Sequence, residues 1–152
     1  MAASITLYQN SMINILSLAK PFNGWKLSGG DTFKVMLATS SYVPSQSHSF
    51  VSDTTNEVVG SGYTAGGVTL TNKSLTVASN RVLLGADNVQ WSGISFSAKY
   101  AIIYNATQSS SSDQILLAYV DLGSPRNHGN LKIRWPSGTV LTLSMEAATG
   151  FP

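Results

Sequence analysis

Two histidines, His48 and His128, and seven carboxylates are the residues of this chain best suited to move a proton or hold a metal ion. A catalytic zinc needs three or four ligands converging on one point. Each histidine stands in a polar stretch with no second histidine nearby, so neither begins such a set. A serine triad needs a serine, a histidine and an acid in one geometry. All three types are present, but among 23 serines their coincidence carries no weight. No G-x-S-x-G elbow sets a serine between a strand and a helix. Cysteine is absent, which removes disulfides, thiol catalysis and thiolate metal sites together. The expectation is a protein with no enzymatic activity and no cofactor.

The remaining candidates have structural readings beside their chemical ones. Asp87 and Asp121 are the acids best placed for a carboxylate pair of the glycosidase type. Asp121 stands in an apolar run, where a carboxylate must reach an edge, pair or accept hydrogen bonds. A structural role just before Gly123 is expected of it. Gly60–Gly67 (GSGYTAGG) lacks the GK[ST] ending and the strand–loop–helix setting of a phosphate loop. Its glycines permit tight turns beside Tyr63. Trp25, Trp91 and Trp135 would stack on a sugar if exposed, but the alternation around Trp91 and Trp135 predicts burial. Asn72-Lys73-Ser74 and Asn105-Ala106-Thr107 match the glycosylation pattern. Such triplets arise by chance in a chain this rich in serine and threonine, and the first twenty residues make a poor signal peptide.

The elements that position these residues follow from composition and pattern. At 152 residues one domain is expected, read as a segment 1–24 followed by a β domain 25–152. Hydrophobic residues, 43% of the chain, supply a core, while charged residues are only 11% against about 25% in ordinary domains. With 23 serines and 13 threonines in their place, the surface resists self-association weakly. The net charge is +2, and the densest basic group, Arg126, Lys132 and Arg134, is too sparse for a nucleic-acid face. No apolar run approaches the roughly 18 residues of a membrane span. Neither nucleic acid nor membrane is therefore an expected partner.

Residues 5–19 fit either a short helix or two strands. Thr32–Ala38 reads as a strand with Phe33, Val35 and Leu37 on one side and Lys34 and Met36 on the other. The segment 39–55 reads as a long polar loop carrying Tyr42, Val43, Phe50 and Val51, with room for a short helix from Asp53. Val68, Leu70, Leu75 and Val77 read as the apolar side of a hairpin or a bent strand around Thr71-Asn72-Lys73. Strands follow at Arg81–Leu84 and around Val89, Trp91, Ile94 and Phe96. Lys99–Tyr104 and Ile115–Leu122 are predicted to form an antiparallel central pair, the second buried on both faces. Leu131, Ile133 and Trp135 alternate with Lys132 and Arg134, and the spacing predicts a hairpin through Pro136-Ser137-Gly138 with Ile133 opposite Leu141 and Leu131 opposite Leu143. The fold class is all-β, an antiparallel sandwich or jelly-roll-like barrel with long loops.

The ordered combination of Asp31–Leu70, Asn72-Lys73, Asp87–Trp91, Ala98–Tyr104, Leu117–Gly123 and the closing β-hairpin resembles a family of small structural proteins of tailed bacteriophages. The likeness covers about three-quarters of the chain. It implies a virion protein, made in the host cytoplasm, that decorates or cements the outer capsid surface. The implied partners are the major capsid protein and further copies of the chain, as a homotrimer. The resemblance implies no catalytic residue. The apolar segment 1–24 departs from the short polar start of the family and suits a capsid- or subunit-contacting arm. Ile13, Ile15, Leu16, Trp25, Tyr42, Phe50 and Tyr63 are the candidate assembly contacts. The alternative is a tail or fibre-associated module that binds a host-surface glycan through exposed aromatics such as Tyr42, Phe50 and Tyr63.

Overall fold

The structure, a computed structural model, describes residues 4–11, 30–126 and 129–144. Ten strands make up the described fold, which is all-β and antiparallel, with sheets packed face to face and no closed barrel among the described residues. They are β1 (Ser4–Leu7), β2 (Phe33–Ala38), β3 (Val68–Thr69), β4 (Ser74–Ala78), β5 (Arg81–Gly85), β6 (Val89–Ile94), β7 (Ala98–Asn105), β8 (Leu116–Arg126), β9 (Gly129–Ile133) and β10 (Thr139–Ser144). A five-stranded sheet has the order β1-β8-β7-β2-β3, a three-stranded sheet the order β10-β5-β4, and β6 pairs with β9.

The expected central pair forms. β7 and β8 run antiparallel with Ile102 opposite Tyr119 and Ala101 opposite Val120. Their continuous apolarity has the expected cause, since the five-stranded sheet is covered on both faces. On one face Phe33, Val35, Leu37, Ala101, Ile103 and Ala118 join the main core. On the other, Met36, Ala38, Ile102, Tyr104 and Leu116 join Tyr8 and Tyr42 in a second core. The alternation read in β2 is therefore correct, but on its second side Met36 and Ala38 are buried too, with Lys34 half-buried. The segment 39–55 covers that second side. It holds one 3-10 turn, Val51–Asp53, in place of the short helix begun at Asp53. Within segment 1–24, the described residues are built into the sheet. β1 pairs with β8 and Tyr8 is wholly buried.

Two pairings correct the sequence reading. β9 and β10 do not form a hairpin: Leu131 and Ile133 lie opposite Trp91 and Val89 of β6, while Leu141 and Leu143 lie opposite Leu84 and Val82 of β5. Residues 81–94 and 129–144 thus run as one antiparallel ladder bent at a corner, where both chains pass from one sheet to the other. The corner is pinned by hydrogen bonds. Trp135 N–H donates to Asn88 Oδ1 (2.8 Å), Trp135 Nε1 to the Asp87 carbonyl (2.8 Å) and Ala86 N–H to the Gly138 carbonyl (3.1 Å). Ser137 adopts φ 53° there, so Pro136–Gly138 redirects the chain and does not reverse it onto its neighbour. The inward set of Leu131, Ile133 and Trp135 is buried as the alternation predicts, but Val140 is buried as well, on the return strand.

The second correction concerns β4. No hairpin joins it to β3. β3 pairs with β2, while β4 pairs with β5 through a two-residue turn, Ser79-Asn80, with φ 49° and 61°. Two positive φ values define the turn that matches the twist of a tight hairpin. Val68 and Leu70 pack inward, but Leu75 and Val77 remain 44% and 73% exposed.

Candidate assembly surface

Every residue of β4 is exposed, and Ser74-Leu75-Thr76-Val77-Ala78 carries no charge. Among the described residues β4 is an edge strand, paired only on its β5 side. Natural edges are usually blunted by lysine, proline or a bulge. β4 has none of these within its span, and its ladder with β5 is regular from Ser74 to Ala78. Leu75 and Val77 lie opposite Leu84 and Val82 of β5, which lie opposite Leu141 and Leu143 of β10. One face of this three-stranded sheet is therefore an apolar band. It is buried at Leu84 and grows more exposed toward Val77. Beside β10, a cleft of about 490 Å³ opens between β1 and β9, lined by Ile5, Val120, Leu122, Leu131 and Val140, with Lys132 and Arg134 also lining it.

The residues singled out from the sequence lie elsewhere. Ile13, Ile15, Leu16, Trp25 and His128 fall outside the described residues. Tyr42 is 1% exposed and faces inward from its loop. Its hydroxyl lies 2.8 Å from Tyr8 Oη and 2.9 Å from His48 Nδ1. Burial pushes the Tyr8 and Tyr42 hydroxyls above the ordinary tyrosine value. Tyr100 meets Tyr42 edge-on, and Tyr119 packs on Tyr8. Phe50 is half-buried and bridges to Ile115. Tyr63 is half-buried, edge-on to Phe96. It donates to Glu57 Oε1 (2.6 Å) and accepts from Leu37 N–H (3.1 Å). Burial raises its hydroxyl's pKa too. Two of the three described aromatic candidates thus spend their surface inside the domain.

Chemistry-bearing residues are likewise tied into the framework. Gly60–Gly67 is fixed by Gly66 N–H donating to Glu57 Oε1 (2.6 Å) and by Tyr104 Oη donating to the Gly66 carbonyl (2.7 Å). At Gly67, with φ +79°, an added Cβ would lie 1.9 Å from the Val35 carbonyl oxygen, so only glycine fits against β2. Asp121 has the structural role expected of it. Lys99 Nζ sits 2.5 Å from Asp121 Oδ1 and also donates to the Gly123 carbonyl, while Gly123 N–H donates to Asp121 (2.8 Å). These bonds brace the irregularity where β8 gains residues against β7. The Lys99 hydrogen bond holds the Asp121 carboxyl below its ordinary value. Asp87 accepts from Thr71 Oγ1 (3.1 Å) and Asn72 Nδ2 (2.6 Å), and serves the corner. Asn105 is buried, bonded to Asp31 (3.1 Å) and to Thr107 (2.6 Å), so its side-chain amide is not offered to solvent. Trp91 and Trp135 are buried as expected. Among the described residues no group of three or more His, Cys, Asp or Glu side chains is placed to hold a metal ion, and no helix is long and apolar enough to cross a membrane.

Leu75 and Val77 are the surface residues that the sequence reading put on the wrong side. The signal available was the Ser79-Asn80 pair between two alternating runs, a two-residue hairpin turn that joins β4 to β5 and not to β3. Comparison of the chain with protein-family models, with curated proteins and with solved structures finds no match.

Proposed function

We propose that the chain is a non-enzymatic virion structural protein that decorates the capsid and stabilises it by bridging major capsid proteins, acting as a homotrimer. The reading rests on the resemblance set out above and on one structural observation, the uncharged and exposed β4 edge with its apolar band at Leu75 and Val77. A strand edge of this kind offers backbone donors and acceptors together with side-chain contact, the elements of strand addition. Each such contact is small, and many copies on one shell multiply it through effective concentration. Low surface charge suits the same use. Of the three aromatics named for the glycan-binding alternative, Tyr42 and Tyr63 are engaged internally, which favours the first reading.

Rebinding tests the proposal. The purified chain is added to capsids that lack it, and bound protein is located by electron cryomicroscopy. Ordered density over capsomer junctions is expected. Density confined to the tail, or no binding, contradicts the proposal. Hits on a glycan array with the folded oligomer favour the alternative.

A further inference from the structure

The buried hydroxyls of Tyr8 and Tyr42 and the ring of His48 form a chain of three polar groups joined by two hydrogen bonds. Among the described residues these are the only hydrogen bonds of the Tyr8 and Tyr42 side chains. With the imidazole neutral and its hydrogen on Nε2, two hydrogens fill the two bonds. Tyr8 Oη donates to Tyr42 Oη, and Tyr42 Oη donates to His48 Nδ1. Protonation of the ring puts a hydrogen on Nδ1 as well. Three hydrogens then compete for two contacts, and one donor is left without a partner among the described residues, in a site where Tyr8 is 0% and Tyr42 1% exposed. We propose that this three-member chain is an acid-released latch, which holds residues 42–48 against the five-stranded sheet when His48 is neutral and frees them when it is charged.

The groups around the imidazole support this direction. Tyr8 follows β1, Tyr42 belongs to the same loop, and the rings of Tyr119 of β8 and Tyr100 of β7 pack on those of Tyr8 and Tyr42. None of these offers a charged acceptor. The nearby carboxylate is Asp53, in the 3-10 turn. Its Oδ2 already accepts from Ser49 N–H (2.8 Å) and Phe50 N–H (2.9 Å). These two bonds commit Asp53 Oδ2 to the 3-10 turn. The rest of the loop has separate ties. Val51 N–H donates to the Gln114 carbonyl (2.8 Å), Ser52 N–H to the Ser111 carbonyl (3.0 Å) and Leu116 N–H to the Ser49 carbonyl (2.9 Å). Release is therefore confined to residues 42–48.

Amide hydrogen exchange at pH 8 and pH 5.5, corrected for the intrinsic rate, tests the latch in the wild type, His48→Gln and His128→Gln. Histidine is the side-chain type with an ordinary value inside that window. In the wild type and in His128→Gln, protection at the Tyr42 and His48 amides should fall about fivefold or more at the lower pH, while Val51 is unchanged. In His48→Gln, whose amide oxygen accepts but does not titrate here, protection should be equal at both values. Tyr42→Phe should show weak protection at both. Equal losses in the wild type and His48→Gln, loss at Val51 to the same extent, or no loss in the wild type would overturn the proposal.

Discussion

The five-stranded sheet and the three-stranded sheet are written in similar residues yet end in opposite surroundings. β2 and β7 carry apolar side chains on both faces, and both faces are covered, one by the main core and one by the 39–55 loop. β4 carries leucine and valine at the same two-residue spacing, and both stand in solvent. Alternation fixes which side chains share a face. Whether that face is covered depends on partners far along the chain. On the proposed reading the first sheet serves stability and the second contact, and the following outcomes would break or sharpen that contrast.

The largest effect is expected in the five-stranded sheet. Ile102→Ala and Leu117→Ala each remove a wholly buried side chain and should cost roughly 2–5 kcal/mol in chemical denaturation. Val77→Ala should stay within about 0.5 kcal/mol of the wild type in the same measurement. Similar costs at the two places would erase the contrast.

Gly67→Ala should follow, at roughly 2–4 kcal/mol, because the new Cβ meets the backbone of β2 at a positive φ. Gly138, also at positive φ but with nothing within 4 Å of an added Cβ, separates steric clash from backbone strain alone. Gly138→Ala should be milder, by the same denaturation assay.

Alkaline stability comes next. Burial pushes the Tyr104 hydroxyl up to about 12, and those of Tyr8, Tyr42 and Tyr63 are raised for the same reason. A raised folded value means that the folded state holds its proton longer than the unfolded chain does. This contribution is complete below the unfolded tyrosine value near 10, and is lost as pH rises through the folded one. Unfolding free energy measured from pH 9 to 12 should fall steadily above about pH 10. Tyr104→Phe should make the fall shallower by on the order of 2 kcal/mol.

The smallest effect belongs to the brace on β8. Lys99 and Asp121 are partly exposed, at 20% and 36%, so Lys99→Met should cost about 0.5–1 kcal/mol at neutral pH. The Asp121 carboxyl lies below its ordinary value, so its contribution is present above the unfolded value near 4 and disappears as pH falls through the folded one. The difference between wild type and Lys99→Met, followed by denaturation from pH 6 downward, should shrink below about pH 4.

Legibility in the sequence divides along the same line. The β2, β7 and β8 strands, the buried tryptophans and the structural reading of Asp121 were all within reach, because local pattern and the cost of burying a carboxylate specify them. Pairing across distance was not. Leu131 to Trp135 and Val140 to Leu143 have the alternation of a hairpin, and nothing in their own residues reveals that β6 and β5 bind them instead. Tyr42 looked like a contact residue because its neighbours are polar. Its burial depends on Tyr8 and His48, one of them 34 residues away. Leu75 and Val77 were misread for the converse reason, since apolar alternation carries no label for solvent.

Capsid rebinding by the Leu75→Lys, Val77→Lys double variant is the most direct test of the central claim, that the exposed β4 edge is the contact surface. Circular dichroism and denaturation should first show the double variant folded with nearly wild-type stability. Rebinding is then expected to weaken by at least about tenfold, since two charges would be desolvated at the interface. Wild-type rebinding by the folded double variant would contradict the assignment of β4.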